Sequence, residues 1–189
     1  HAFKSIDNDT FLDELNVLLI KDDEKAKKEI NSYAWVYQPG LPPEFQPPVS
    51  AIFTKIDSIV PQISATKNVA GLNKEVKSTN EKLYFINKLP EDLTTDLMTA
   101  IDKEFTFTNS KNAEVQAAWY LLALKTKYNV AYPAIKEFLV NVGRRKFLMP
   151  LYKEMVKTPE GKKMAQDIYK NAKPNYHSVS YNSLDPLLI

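Results

Sequence analysis

Three consecutive cations, Arg144-Arg145-Lys146, follow Gly143 and form the densest basic cluster of the chain. They fall where an amphipathic pattern resumes, at the start of a predicted helix, and the helix macrodipole disfavours positive charge at that end. Two readings follow. The cluster is a solvated basic turn, or it holds an anion, since backbone N–H groups at a helix start face a bound anion and Arg adds a bidentate fork for a carboxylate or phosphate. Arg144 and Lys146 stand two apart, so in mid-helix their side chains would diverge. At a loop-to-helix junction they can converge. Residue type and spacing alone favour the solvated turn.

Other chemistry is scarce. There is no Cys and there are only two His, His1 and His177, which removes thiol nucleophiles, disulfides and thiolate metal ligands. A zinc site would need carboxylate-rich ligation, so no metal ligand is expected here. No Ser-His-Asp arrangement can be assembled except near His177, which lies in a tail expected to be irregular and reads as a hydrogen-bonding residue. Asp22-Asp23 and Glu91-Asp92 read as helix-start charges, and Trp35 and Trp119 as core residues. The residues by themselves describe a helical module without catalytic machinery.

The elements around this cluster follow from composition and periodicity. The chain has 189 residues, 44% of them hydrophobic and 25% charged, which suits a folded globular chain. The near balance of 25 basic against 23 acidic residues predicts no affinity for nucleic acid or membrane surfaces. No apolar run is long enough to span a bilayer. Only 4 Gly against 12 Pro argues against a turn-dense β fold and against phosphate-cradling glycine loops. The chain opens at His1 without Met and reads as a piece of something longer. The absence of Cys does not fix a compartment.

The pattern is helical throughout. Asn8-Asp9-Thr10 precedes a stripe of Phe11, Leu12, Leu15, Leu18 and Leu19, and Asp22-Asp23-Glu24 opens a helix with Ala26, Ile30, Tyr33, Ala34 and Tyr37 inward. Five Pro and one Gly between residues 39 and 48 cannot be helix and predict an extended linker. This divides the chain into 1–37, a linker at 38–50, and 51–189. Past it come stripes at Ile52–Ile63, Leu83–Ile86 after Ser78-Thr79, Leu93–Phe105 opened by Pro90-Glu91-Asp92, and Val115–Ala123 after Asn109-Ser110. Ala134–Leu139, Phe147–Val156 and a last helix from Thr158-Pro159-Glu160 to Ala172 complete them; Pro174 to Ile189 reads as irregular. The fold class is all-α. Short loops between amphipathic helices suggest a bundle or an armadillo-like right-handed superhelix of stacked hairpins, and no fixed repeat decides between them.

Several segments resemble a known family in order along the chain. Asn31 to Pro43, with Trp35 leading into Pro39-Gly40-Leu41-Pro42-Pro43, resembles the junction between the catalytic and C-terminal domains of leukotriene A(4) hydrolase and related gluzincin zinc aminopeptidases. Phe3-Lys4-Ser5-Ile6, Asp9 and Phe11-Leu12 resemble the last helical segment of that catalytic domain. Gly143-Arg144-Arg145-Lys146-Phe147 with Pro150-Leu151-Tyr152-Lys153 resembles the family's Gly-Arg-x-Lys-Phe…Pro-Leu-Phe-Lys segment, and Tyr176-His177-Ser178-Val179 its Met-His-Pro-Val tail.

The resemblance implies an armadillo-like C-terminal domain that closes one side of an active-site cleft. It implies that Arg144 and Lys146 hold the free carboxylate of a peptide, leaving Arg145 without a role, and it reverses the preference for a solvated turn. The family's His-Glu-x-x-His helix, its downstream zinc-binding Glu and its amine-binding segment have no match here. Zinc is therefore expected in the missing catalytic domain, and this segment is expected to be inactive alone. Its implied partners are that domain and the peptide carboxylate, with no nucleic acid and no membrane. A stand-alone helical scaffold for protein partners is the alternative.

Overall fold

The computed structural model describes all 189 residues, His1–Ile189, and they form two compact units, His1–Val49 and Ser50–Ile189. Every regular element is a helix.

In the first unit, the Asp7 carboxylate accepts from the Thr10 N–H and starts α1 (Asn8–Glu14), which runs on as a π-helical turn, Leu15–Ile20. Asp23 caps α2 (Glu24–Ile30) through the Ala26 N–H, and Asn31, in the left-handed region at φ 45°, separates it from α3 (Ser32–Tyr37). The expected stripes are only partly inward: Leu12 and Ala34 are buried, whereas Phe11, Leu18, Leu19, Ile30, Tyr33 and Tyr37 are exposed. For Leu18 and Leu19 the π-helical turn is the reason, because its wider winding rotates them off the face that an α-helix would give them. Trp35 is not a core residue either. It stands 49% exposed with its ring edge-on to Phe45 at 5.8 Å. Residues 38–50 carry no helix.

The second unit contains eight α-helices: α4 (Ala51–Thr66), α5 (Thr79–Lys88), α6 (Thr95–Phe105), α7 (Ala113–Lys125), α8 (Tyr132–Asn141), α9 (Arg145–Met155), α10 (Pro159–Ala172) and α11 (Ser178–Leu188). Their starts are written in side chains. Ser78 and Glu81 form a reciprocal capping box on α5, and the Thr94, Asn112 and Thr158 oxygens accept from the first turns of α6, α7 and α10. These caps place two helices later than the sequence suggests. The α6 helix begins at Thr95 rather than at Pro90-Glu91-Asp92, and α7 at Ala113 rather than at Asn109-Ser110, because the capping oxygen sits at Thr94 and Asn112.

Alternate helices are neighbours: α5 packs on α7, α7 on α9 and α9 on α11, while α8 packs on α10. That alternation is what helical hairpins stacked side by side produce. Phe105 and Phe107 stack at 4.7 Å beside the fully buried Trp119, whose Nε1–H donates to the Thr108 hydroxyl at 2.9 Å. Asp102 anchors Thr108 in turn, accepting from its N–H at 2.8 Å and its hydroxyl at 2.6 Å.

The last segment departs from expectation. Ser178–Leu188 is a helix, not irregular chain. Its Ser- and Asn-rich sequence and Pro186 hide it from propensity. Packing creates it, through buried Ser180, Leu184 and Leu188 at a spacing of four, and through Asp185, which accepts from Tyr169 at 2.6 Å and Lys173 at 2.7 Å.

Candidate functional site

The basic cluster occupies the junction between α8 and α9. The α8 helix ends at Asn141, and the Leu139 carbonyl, which no fourth-residue N–H reaches, accepts instead from the Tyr176 hydroxyl. Tyr152 lies 3.0 Å from the same hydroxyl. A carbonyl can only accept, so the Tyr176 proton is committed to Leu139 and Tyr152 must donate to the Tyr176 oxygen. Burial pushes both phenols up, Tyr176 to about 12, with the Tyr152–Tyr176 bond adding to the rise at Tyr152.

Gly143 comes next. A Cβ there would stand 3.3 Å from the Asn175 carbonyl oxygen, so the close approach of that backbone favours glycine. The Gly143 carbonyl accepts from the buried Ser180 hydroxyl at 2.8 Å, which ties the junction to α11. Arg144 then occupies the N-cap of α9 in extended conformation, φ −78° and ψ 116°, with no side chain capping the helix.

This geometry decides what the three cations do. Arg145 swings away, its Nε donating to Ser183 at 2.8 Å on α11. Arg144 and Lys146 converge, one from the extended N-cap and one from the first helical turn, with Cζ and Nζ 5.4 and 5.6 Å from the Phe147 ring. Both face one carboxylate, Glu114 at the start of α7. Lys146 donates to its two oxygens at 2.7 and 2.6 Å, whereas Arg144 Nη1 is 3.8 Å away. The Arg144 guanidinium makes no hydrogen bond and stays 65% exposed. Its fork is open.

Glu114 was not legible as a site residue. It reads as an acidic helix-start residue, and nothing in the sequence announces a contact with Lys146, 32 residues later. The same holds for Ser180 and Tyr176, which lie in the segment expected to be irregular.

The residues present do not fit zinc. Cys is absent, no three His, Asp or Glu side chains converge, and His177 caps α11 with Nδ1 accepting from the Val179 N–H at 3.3 Å. No helix is long and apolar enough to cross a membrane. A groove of the second unit bordered by Leu124, Tyr132, Met155 and Met164 includes neither Arg144 nor Lys146.

The second unit is an all-helical domain in which alternate helices pack on one another, and its fold has known relatives. Residues 77–188 match the family described as leukotriene A4 hydrolase, C-terminal, and the chain belongs to that family. Leucine aminopeptidase 2 of Chaetomium globosum is 30% identical over 191 residues, spanning 93% of this chain and 30% of that protein. The Neurospora crassa leucine aminopeptidase 2 is 28% identical over 93% of this chain and 27% of its own length. A leukotriene A-4 hydrolase homolog of Botryotinia fuckeliana is 25% identical over 96% of this chain and 29% of its own length. The structure of native yeast LTA4 hydrolase superposes with a TM-score of 0.73 at 21% identity, over 98% of this chain and 33% of that one, a likeness of fold. The chain thus spans roughly a third or less of the proteins it matches.

Proposed function

We propose that this chain is the C-terminal part of a zinc aminopeptidase, where it closes one side of the active-site cleft and grips the free carboxylate of the peptide substrate. The observation that carries the proposal is the convergence of Arg144 and Lys146 on a single carboxylate, Glu114, inside the span that matches the family. Lys146 already holds that carboxylate, and Arg144 beside it makes no hydrogen bond and keeps donors for a second one. Arg144 offers the open fork, and a charge-assisted fork orients a carboxylate as well as binding it. Fixing that end of a peptide sets its register, so binding energy is converted into position at the scissile bond.

In this proposal zinc and the catalytic residues belong to the part of the polypeptide outside residues 1–189, and this segment hydrolyses nothing alone. Residues 1–37 are the helical end of the catalytic domain, 38–50 the linker and 51–189 the C-terminal domain. The exposed Val17, Leu18 and Leu19 support the first assignment, because a water-facing turn has no use for three adjacent apolar side chains.

The test is Arg144→Ala in the full-length enzyme. It should lower kcat/KM for tripeptides with a free C-terminus by about 30-fold, equivalent to roughly 2 kcal/mol, and leave C-terminally amidated peptides nearly unaffected. Arg145→Ala should change neither, since Arg145 is bonded to Ser183. An unchanged rate in Arg144→Ala removes the carboxylate role.

A further inference from the structure

We propose that Glu114 sets the charge of this grip, so that it accepts a single carboxylate and discriminates against a second negative charge on the C-terminal residue of the substrate. The inference rests on the carboxylate reading above and adds a specificity determinant to it. Two cations face one anion, leaving one net positive charge among these three groups, while Arg145 is directed to the neutral Ser183 hydroxyl on α11. The three groups do not share equally. Lys146 is engaged by both Glu114 oxygens, at 2.7 and 2.6 Å, while Arg144 stands 3.8 Å off without a hydrogen bond. Lys146 is thereby paired with Glu114, and Arg144 is left with open donors for one incoming monoanion.

Glu114 is itself held in place. Its backbone N–H donates to the Asn112 side chain at 3.0 Å, and its charge lies in the first turn of α7, where the macrodipole favours an anion. Its side chain is 35% exposed and lies 3.8 Å from Arg144 Nη1, so an anion held by Arg144 comes close to the Glu114 carboxylate. A C-terminal Asp would bring its side-chain carboxylate toward that fixed negative charge; a C-terminal Asn of the same shape would not. Glu114 acts through Arg144 and Lys146 and is a positioning and selecting residue rather than a catalytic one.

The experiment compares Ala-Ala-Asn, Ala-Ala-Asp and amidated Ala-Ala-Asn as substrates of the full-length enzyme, in wild type, Glu114→Gln and Glu114→Asp. Wild type should show a lower KM for the Asn-ending peptide than for the Asp-ending one. Glu114→Gln should shrink that KM ratio by about fivefold, the factor for one unit charge a few ångströms away in a solvated setting, with the change carried by the Asp-ending peptide. Glu114→Asp, which keeps the charge, should restore the wild-type ratio. A ratio unmoved by Glu114→Gln overturns the proposal, as does an equal loss on both peptides in both variants, which would mean that Glu114 only holds the fold. Should wild type use the amidated peptide as well as the free one, the carboxylate reading itself has failed, and this inference with it.

Discussion

Replacing Tyr176 with Phe removes one oxygen and no volume, and the bond directions at that oxygen set the size of the effect. The Tyr176 hydroxyl donates to the Leu139 carbonyl at the frayed end of α8 and accepts from Tyr152. Without it, a buried carbonyl loses its donor and the buried Tyr152 hydroxyl loses its acceptor. A buried polar group stripped of its partner costs about 1–3 kcal/mol, so Tyr176→Phe should cost about 3 kcal/mol in all. Tyr152→Phe removes only the incoming bond and leaves Tyr176 still donating to Leu139, so it should cost about 1 kcal/mol. For a chain of this length each kcal/mol lowers the melting temperature by about 2–4 °C, so the two variants should melt about 6–12 °C and about 2–4 °C below wild type. The double variant should cost less than the sum, because the Tyr152 hydroxyl is no longer there to be stranded. Thermal unfolding followed by far-UV circular dichroism reads all three. If Tyr152→Phe proves as costly as Tyr176→Phe, the bond directions are wrong.

Two further outcomes follow from the same packing. Burial raises Tyr120 and Tyr176 to about 12, above the roughly 10 of an unfolded tyrosine. Because the raised groups are neutral in the folded state, their stability is fully present below pH 10 and is lost as pH climbs from 10 through 12; urea midpoints measured across that window should fall, and fall less steeply in Tyr176→Phe. Gly161→Ala would set a Cβ 2.1 Å from the Met155 carbonyl oxygen and 2.9 Å from the Thr158 hydroxyl, so the turn entering α10 must open. An overpacked site of this kind costs about 1–3 kcal/mol or more, and a melting temperature equal to wild type would contradict it.

Much of the fold is legible in the chain itself. Ser78 with Glu81, and Thr158 with Pro159, start α5 and α10 where capping chemistry says they should. Most of the apolar stripes of Ile52–Ile63 and Phe147–Val156 is buried as its spacing predicts, with Ile52, Phe53 and Val156 half-buried at the ends. What failed did so for identifiable reasons. Trp35 has the residue type of a core but lies exposed in a short helix, and α11 has the composition of a loop but is held by Leu184, Leu188 and Asp185. Local sequence records what a segment prefers alone; α11 is decided by contacts from elsewhere in its unit, whereas Trp35 finds too few to be covered.

The sequence by itself determined that the chain is helical, that it offers no Cys and only two His, and that its densest cluster of positive charge lies at a helix start. These are properties of residue type and short-range order, where capping, macrodipole and periodicity act over a few residues. Only the tertiary structure decided which of the three cations face together. Arg145 is drawn to Ser183 and Lys146 to Glu114, partners 38 and 32 residues away, and of the three Arg144 alone makes no hydrogen bond. Chain folding brings those partners within hydrogen-bond range, and the strength of a charged contact depends on distances that linear spacing does not contain.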